Sequence, residues 1–186
     1  MTYYRDRLYE LARKSLGFMS IALCIPRQSL TRLVNKKNGG IHLIHYFPLT
    51  NQFDKKARRQ SKHCDNTLLS LIPPPYPISS GISLYSWTTK KWEKVIINKD
   101  ECLIQTGLLL QRTTNDKIKA NLHTVSNPKI GSPNNISRYS TPFFLSPGGD
   151  VTLKVLDKFT GRKKKYADAQ VSSIQKEYFG NIFFRY

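Results

Sequence analysis

Three side chains able to ligate a metal recur in strand-like settings: His63, Asp65 and His123. His63-Cys64-Asp65 opens a run, residues 63–72, that reads as a strand. Alternate side chains of a strand share a face, so the imidazole and the carboxylate point together and Cys64 points away. Such a pair can fill adjacent corners of a metal's coordination sphere. H-x-D tripeptides are nevertheless common by chance, and most of them are surface hydrogen bonds. His123 lies 58 residues after Asp65, in Asn121-Leu122-His123-Thr124-Val125, and on its own it would be an ordinary core histidine. Together, two imidazoles and one carboxylate form a facial set that leaves the opposite positions open, an arrangement suited to Fe(II) and dioxygen.

Fifteen residues further on stands Arg138-Tyr139-Ser140. Again an i, i+2 pair on a strand puts guanidinium and hydroxyl on one face. The planar donor fork of Arg matches a carboxylate, and Ser adds a third hydrogen bond. The pair could hold the far carboxylate of a dicarboxylic oxo acid whose keto-acid end chelates the metal. A surface salt bridge is the plainer alternative for this arginine.

These residues need a scaffold, and the sequence suggests one rich in short strands. Leu8, Leu11, Ala12, Leu16, Met19, Ala22 and Leu23 recur at helical spacing. They predict an amphipathic helix over residues 3–24, stopped before Pro26. Residues 15–25 also resemble the apolar core of a signal peptide, but Asp6 and Glu10 spoil the positive region and no A-x-A site follows. A short helix or turn over 26–40 closes on Lys37-Asn38-Gly39-Gly40. Ile41 to Phe47 reads as a strand stopped by Pro48, and 49–61 as a polar loop. Further strands are expected at 63–72, 81–86, 93–97, 102–106, 122–126 and 138–145. Turn clusters such as Pro73-Pro74-Pro75, Thr88-Thr89-Lys90 and 131–135 separate them. Short strands at this spacing predict a mainly β barrel or sandwich. After Gly161 come a basic linker, a helix near 166–178, and an aromatic end at Phe179, Phe183, Phe184 and Tyr186.

The 186 residues suffice for one sizeable core. At 39% hydrophobic and 23% charged, the composition excludes a disordered chain. The net charge of +18 leaves nucleic acid, anionic membrane surfaces and acidic substrates open as partners. Its only dense runs, Lys55-Lys56-Ala57-Arg58-Arg59 and Arg162-Lys163-Lys164-Lys165, fall in expected loops. No RNP, zinc-finger or helix-turn-helix signature accompanies them, which makes nucleic acid the weaker choice. Cys24, Cys64 and Cys102 form no CxxC pair, which points to a reducing, cytoplasmic setting. No apolar run reaches the roughly 18 residues that span a bilayer.

The order H-x-D, His, R-x-S carries a resemblance. Residues 41–147 are similar to the isopenicillin N synthase-like branch of the 2-oxoglutarate/Fe(II) dioxygenase superfamily. Five blocks match in order: Leu43 to Pro48, His63 to Ile72, Gly107 to Asn115 (their G-D-x-L-x-x-x-T-N turn), His123 to Pro128, and Arg138 to Pro147. The resemblance implies a double-stranded β-helix, or jelly roll, with Fe(II) held by His63, Asp65 and His123. It implies 2-oxoglutarate held by Arg138 and Ser140, with Tyr46 (or its neighbour Phe47) touching the carboxylate nearest the metal. The expected parts are a helical lead-in over 1–40, the oxygenase barrel over 41–157, and a linker and tail over 158–186.

Members of this branch usually carry a long N-terminal extension that shapes the substrate pocket. Here about forty residues precede the first barrel strand. That leaves the pocket open, or to be completed by an oligomer or partner chain, or the chain a truncated remnant of such a protein. The acidic residue usual after the turn glycine is Leu108, and the basic residue usual after the distal histidine is Thr124. Three functions follow: an oxygenase using 2-oxoglutarate and dioxygen on a small organic substrate, an iron oxidase without 2-oxoglutarate, or a catalytically silent basic binding protein.

Overall fold

The computed structural model describes residues 2–34, 38–50, 58–79, 81–161 and 163–183, of which 181–183 are described by their backbone alone. Lys37, Lys55 to Ala57, Arg162, Phe184 and Tyr186, which belong to the expected turn, basic runs and aromatic end, lie outside the described residues.

Helix α1 (Thr2–Ala22) presents Leu8, Ala12 and Leu16 at four-residue intervals, and all three are buried together with Tyr9. Leu11 and Ala22, expected on the same stripe, face outward. The helix ends two residues before the expected Cys24. Cys24 N–H donates to Ile21 O and Ile25 N–H to Ser20 O, with Cys24 at φ 52°. This is a Schellman stop, in which a left-handed residue turns the chain so that the last carbonyls find donors. A short helix α2 (Gln28–Thr31) and a 3₁₀ turn (Arg32–Val34) fold back on α1, where the Tyr9 hydroxyl donates to Val34 O. Its apolar stripe is thus part of the core of the fold.

Two four-stranded antiparallel sheets follow. The first contains β1 (Gly39–Ile41), β4 (Leu69–Ile72), β7 (Leu103–Thr106) and β10 (Phe143–Leu145), in the order β1-β10-β4-β7. The second contains β3 (Gln60–His63), β5 (Ile82–Tyr85), β6 (Trp92–Lys94) and β8 (His123–Val125), in the order β3-β8-β5-β6. Strands β2 (Ile44–Tyr46) and β9 (Arg138–Ser140) pair with each other. From β3 to β10 the chain repeatedly crosses between sheets, which is the winding of a double-stranded β-helix. The jelly-roll expectation is borne out.

The first sheet carries the core. Leu71 pairs with Phe143 and Leu69 with Leu145, and all four are fully buried in one cluster with Leu8, Ala12 and Leu16 of α1. Burying each such side chain contributes about 1.5–3 kcal/mol. The alternate residues Ile72 and Phe144 face the opposite way, into a cavity.

Three expected strands are each two. Residues 63–72 divide into β3 and β4, in different sheets, joined by residues 64–68. A polar alternating piece and the run Leu68–Ile72, apolar except for Ser70, belong to different environments, and one strand cannot serve both. Residues 138–145 divide at Thr141-Pro142, where proline lacks a ladder donor, and 41–47 divides at His42-Leu43. The expected turn at 107–115 contains helix α3 (Leu108–Thr113), with Leu109, Leu110 and Thr113 buried. Gly107 introduces it because a Cβ there would lie 2.2 Å from Thr67 O.

The tail is tied down through Asp116, whose carboxylate meets Lys165 Nζ at 2.7 Å and the Tyr166 hydroxyl at 2.6 Å. Strand β12 (Ala169–Gln170) pairs with β11 (Thr152–Leu153). Helix α4 (Val171–Phe183) then follows, five residues later than expected at each end. No helix among the described residues is long and apolar enough to cross a membrane.

Candidate functional site

Between the sheets lies a cavity of about 490 Å³ that brings both sequence-predicted groups together. His63 ends β3 and sits directly opposite His123 on β8, with ring centroids 4.1 Å apart. Asp65 lies two residues past His63, beyond the end of β3, so the i, i+2 geometry of a continuous strand is not what aligns the pair. The backbone does so instead: Leu108 N–H donates to Asp65 O at 2.8 Å, and Leu68 N–H to Leu145 O at 2.9 Å.

The His63 Nε2 to Asp65 Oδ1 distance is 3.4 Å, and the His123 Nε2 to Asp65 Oδ1 distance is 3.8 Å. One ligand atom from each of the three residues lies within 4.8 Å of the others. A metal with bonds of about 2.1 Å holds adjacent ligand atoms about 3 Å apart, so this set fits one ion after slight contraction. The far ring nitrogens support the fit. His63 Nδ1 contacts Ser61 O at 2.8 Å and His123 Nδ1 contacts Asn121 O at 3.1 Å. A carbonyl can only accept, so each Nδ1 carries the proton and each Nε2 keeps its lone pair in the neutral ring.

Burial works against charge on all three groups. Asp65 nevertheless titrates below its ordinary value, because its contact with the His63 ring, the nearby His123 and a hydrogen bond with Ser70 outweigh that burial. His123 is lowered by burial and by His63, against the pull of Asp65. His63 is raised despite burial, through its contacts with Asp65 and Ser61 O. Cys64 stays outside the triad, and burial beside Asp65 pushes its thiol up to about 11.

Arg138 and Ser140 line the same cavity from β9, while Tyr139 between them is exposed. Arg138 is 7% exposed, its Nε has no hydrogen-bond partner, and no carboxylate pairs with it among the described residues. Burial lowers its pKa, partly offset by the Tyr46 phenol, over whose ring its guanidinium stands at 4.5 Å. Tyr46 lines the cavity and Phe47 is 68% exposed, so the tyrosine is the one that reaches the pocket. It does so beside Arg138. Gly81 makes room for that guanidinium, since a Cβ there would lie 2.5 Å from Arg138 Nη1.

Comparison with known proteins agrees with this geometry. The profile of the 2OG-Fe(II) oxygenase superfamily matches residues 38–147. The chain belongs to that superfamily. It is 27% identical over 177 residues to the 2-oxoglutarate-Fe(II) type oxidoreductase hxnY of Emericella nidulans, covering 94% of this chain and 48% of the relative. It is 25% identical over 181 residues to the 2-oxoglutarate-Fe(II) type oxidoreductase ppzD of Metarhizium majus, covering 95% and 51%. A full-length Neurospora crassa protein, crystallised in complex with alpha-KG, superposes with a TM-score of 0.85 at 17% identity, over 97% of this chain and 56% of that one. The chain thus spans about half the length of the curated relatives it matches.

Within this 2OG-Fe(II) oxygenase barrel, several cavity residues carry no signal in the sequence. Gln175, Tyr178 and Phe179 reach the cavity from α4, and the Tyr178 hydroxyl donates to Cys64 O at 2.6 Å. Burial and the neighbouring Asp65 and Cys64 push that phenol up to about 12. Their i, i+3, i+4 spacing marks a helix face, but nothing local shows what that face meets. Asn66, next to Asp65, also lines the cavity.

Proposed function

We propose that the protein is a 2-oxoglutarate-dependent Fe(II) oxygenase acting on a small organic substrate. His63, Asp65 and His123 would hold the metal, and Arg138 and Ser140 the far carboxylate of the oxo acid, with Tyr46 beside them. One cavity holding both a three-ligand cluster and a buried guanidinium with no carboxylate partner among the described residues carries this reading. A buried cation without a counter-charge is costly, and a bound carboxylate would relieve that cost.

When bound, Fe(II) would supply the redox chemistry by which dioxygen oxidises the oxo acid to succinate and CO₂ and then the substrate. The protein's own residues do the positioning. Ser61 and Asn121 carbonyls fix the imidazole tautomers, Arg138 and Ser140 set the direction of the oxo acid, and the sheets with α4 line the cavity that would hold it. Anaerobic titration of 2-oxoglutarate into the Fe(II) protein should develop a visible charge-transfer band, and Arg138→Leu should need far more oxo acid to reach it. Iron binding without any such band would support an oxidase that dispenses with 2-oxoglutarate.

The three unpaired cysteines suit the cytoplasm, which fractionation of the native source would check. Leu43, Phe47, Ile136 and Tyr139 are exposed around β2 and β9, a face that a second copy or partner chain would cover. Light scattering over a concentration series tests this, and a monomer throughout would count against a second copy.

A further inference from the structure

Asn66 sits on the cavity one residue past Asp65 and is only 7% exposed, yet neither Oδ1 nor Nδ2 of its carboxamide has a hydrogen-bond partner among the described residues. Asparagine in a loop usually caps a nearby backbone N–H, and here it does not. The loop is held by its backbone instead, through Leu108 N–H to Asp65 O, Leu109 N–H to Thr67 O, and Gly107 N–H to Leu68 O. Thr67 is occupied separately, its Oγ1 3.1 Å from Ser70 Oγ. The carboxamide therefore contributes no hydrogen bond to the fold, although burying an unpaired donor and acceptor together is unfavourable.

We infer that Asn66 is a substrate-recognition residue, and that the substrate presents an amide-type edge, a carbonyl acceptor beside an N–H donor. This inference rests on the oxygenase reading of the same cavity and names the substrate class for it. A carboxamide donates through Nδ2 and accepts through Oδ1, so it pairs in two-point fashion with a lactam or primary amide. A ketone or hydrocarbon of the same shape would leave one or both atoms unpaired. Sites of this kind discriminate strongly against the analogue lacking the group. The position beside Asp65 would place the substrate carbons bonded to that amide next to the metal ligands. Apolar neighbours Ile72, Val125 and Phe144 on the same cavity suit the hydrocarbon remainder.

Gln105 provides an internal control. It is 1% exposed with both amide atoms unpartnered, but it does not line the cavity.

The test uses 2-piperidone as the probe and cyclohexanone as its N–H-free counterpart, with binding to the whole chain followed by NMR. The wild type should bind the lactam at millimolar concentration, and Asn66→Leu should weaken it at least tenfold while changing cyclohexanone less than twofold. Asn66→Ala should show the same loss, and Gln105→Leu should leave lactam binding unchanged. Because the carboxamide makes no hydrogen bond in the fold, Asn66→Leu should melt no lower than wild type. Equal lactam binding in wild type and Asn66→Leu, no lactam binding in wild type, or a lowered melting temperature in Asn66→Leu would each overturn the inference. Anaerobic Fe(II) and 2-oxoglutarate titrations on the same samples separate the two readings. A lactam site dependent on Asn66 in a protein that gives no charge-transfer band upholds the amide-pairing role of Asn66 and removes only the use of 2-oxoglutarate.

Discussion

The two four-stranded sheets of this molecule divide its work. The sheet β1-β10-β4-β7 packs one face on α1 through the buried Leu69, Leu71, Phe143 and Leu145 and turns the half-buried Ile72 and Phe144 of its other face to the cavity. The sheet β3-β8-β5-β6 turns one face to the cavity and the other to water. Ser83 is level with Lys94 and Tyr85 with Trp92 on that outer face, and Lys62 stands 5.3 Å over the Trp92 ring. Two of the three metal-ligand candidates, His63 and His123, belong to this second sheet, and Asp65 lies in the connection to the first. Stability is thus concentrated on one side of the cavity and chemistry on the other, with the 64–68 loop as the joint between them.

The largest expected effect lies in the buried sheet. Phe143→Ala, at a fully buried position, should cost about 3–5 kcal/mol in denaturant unfolding. A loss below about 1 kcal/mol there would show that the core is not where the division puts it. Next comes the cavity. Gly81→Val should displace the Arg138 guanidinium and weaken 2-oxoglutarate binding about tenfold or more, with Fe(II) affinity little changed. Equal loss of both ligands would mean that the two ends of the site are not separable.

A third prediction concerns pH. Burial pushes the Asp116 carboxyl up, but Lys165, Tyr166 and Lys119 outweigh it and hold the group well below the usual carboxylate range. A depressed folded-state value contributes stability that is present above the unfolded value, near 3.8, and is lost as pH falls through the folded one. Melting temperature should therefore fall on acidification below about pH 4, and Asp116→Asn should flatten that acid slope while lowering stability at neutral pH. An unchanged slope would show that Asp116 does not anchor the tail. Smallest of all, Lys94→Ser on the solvent face of the second sheet should shift stability by no more than about 0.5 kcal/mol. A larger loss would mean that this face is not merely solvated.

Much of this division was legible in the sequence. Most of the α1 stripe (Leu11 and Ala22 excepted) lies at the core, and the H-x-D and R-x-S pairs and the distal histidine line the cavity. What failed was the joinery. Residues 63–72 read as one strand because polar alternation and an apolar run follow each other without a glycine or proline between them. The break is imposed by which sheet each half can pair with, a long-range property. Helix α3 was hidden inside a turn motif because Leu108 to Thr113 makes fewer than two turns of periodicity. Asn66 was invisible for another reason: an asparagine is notable only once its lack of partners is known.

Whether His63, Asp65 and His123 bind one ion together decides the rest. Anaerobic Fe(II) binding should be compared across wild type, His63→Ala, His123→Ala and His45→Ala. His45 stacks on Tyr139 and bonds Ser137, away from the triad, and serves as the control. Each triad variant should lose affinity by on the order of a hundredfold or more, and the control should match wild type. Wild-type affinity in both triad variants would contradict the account.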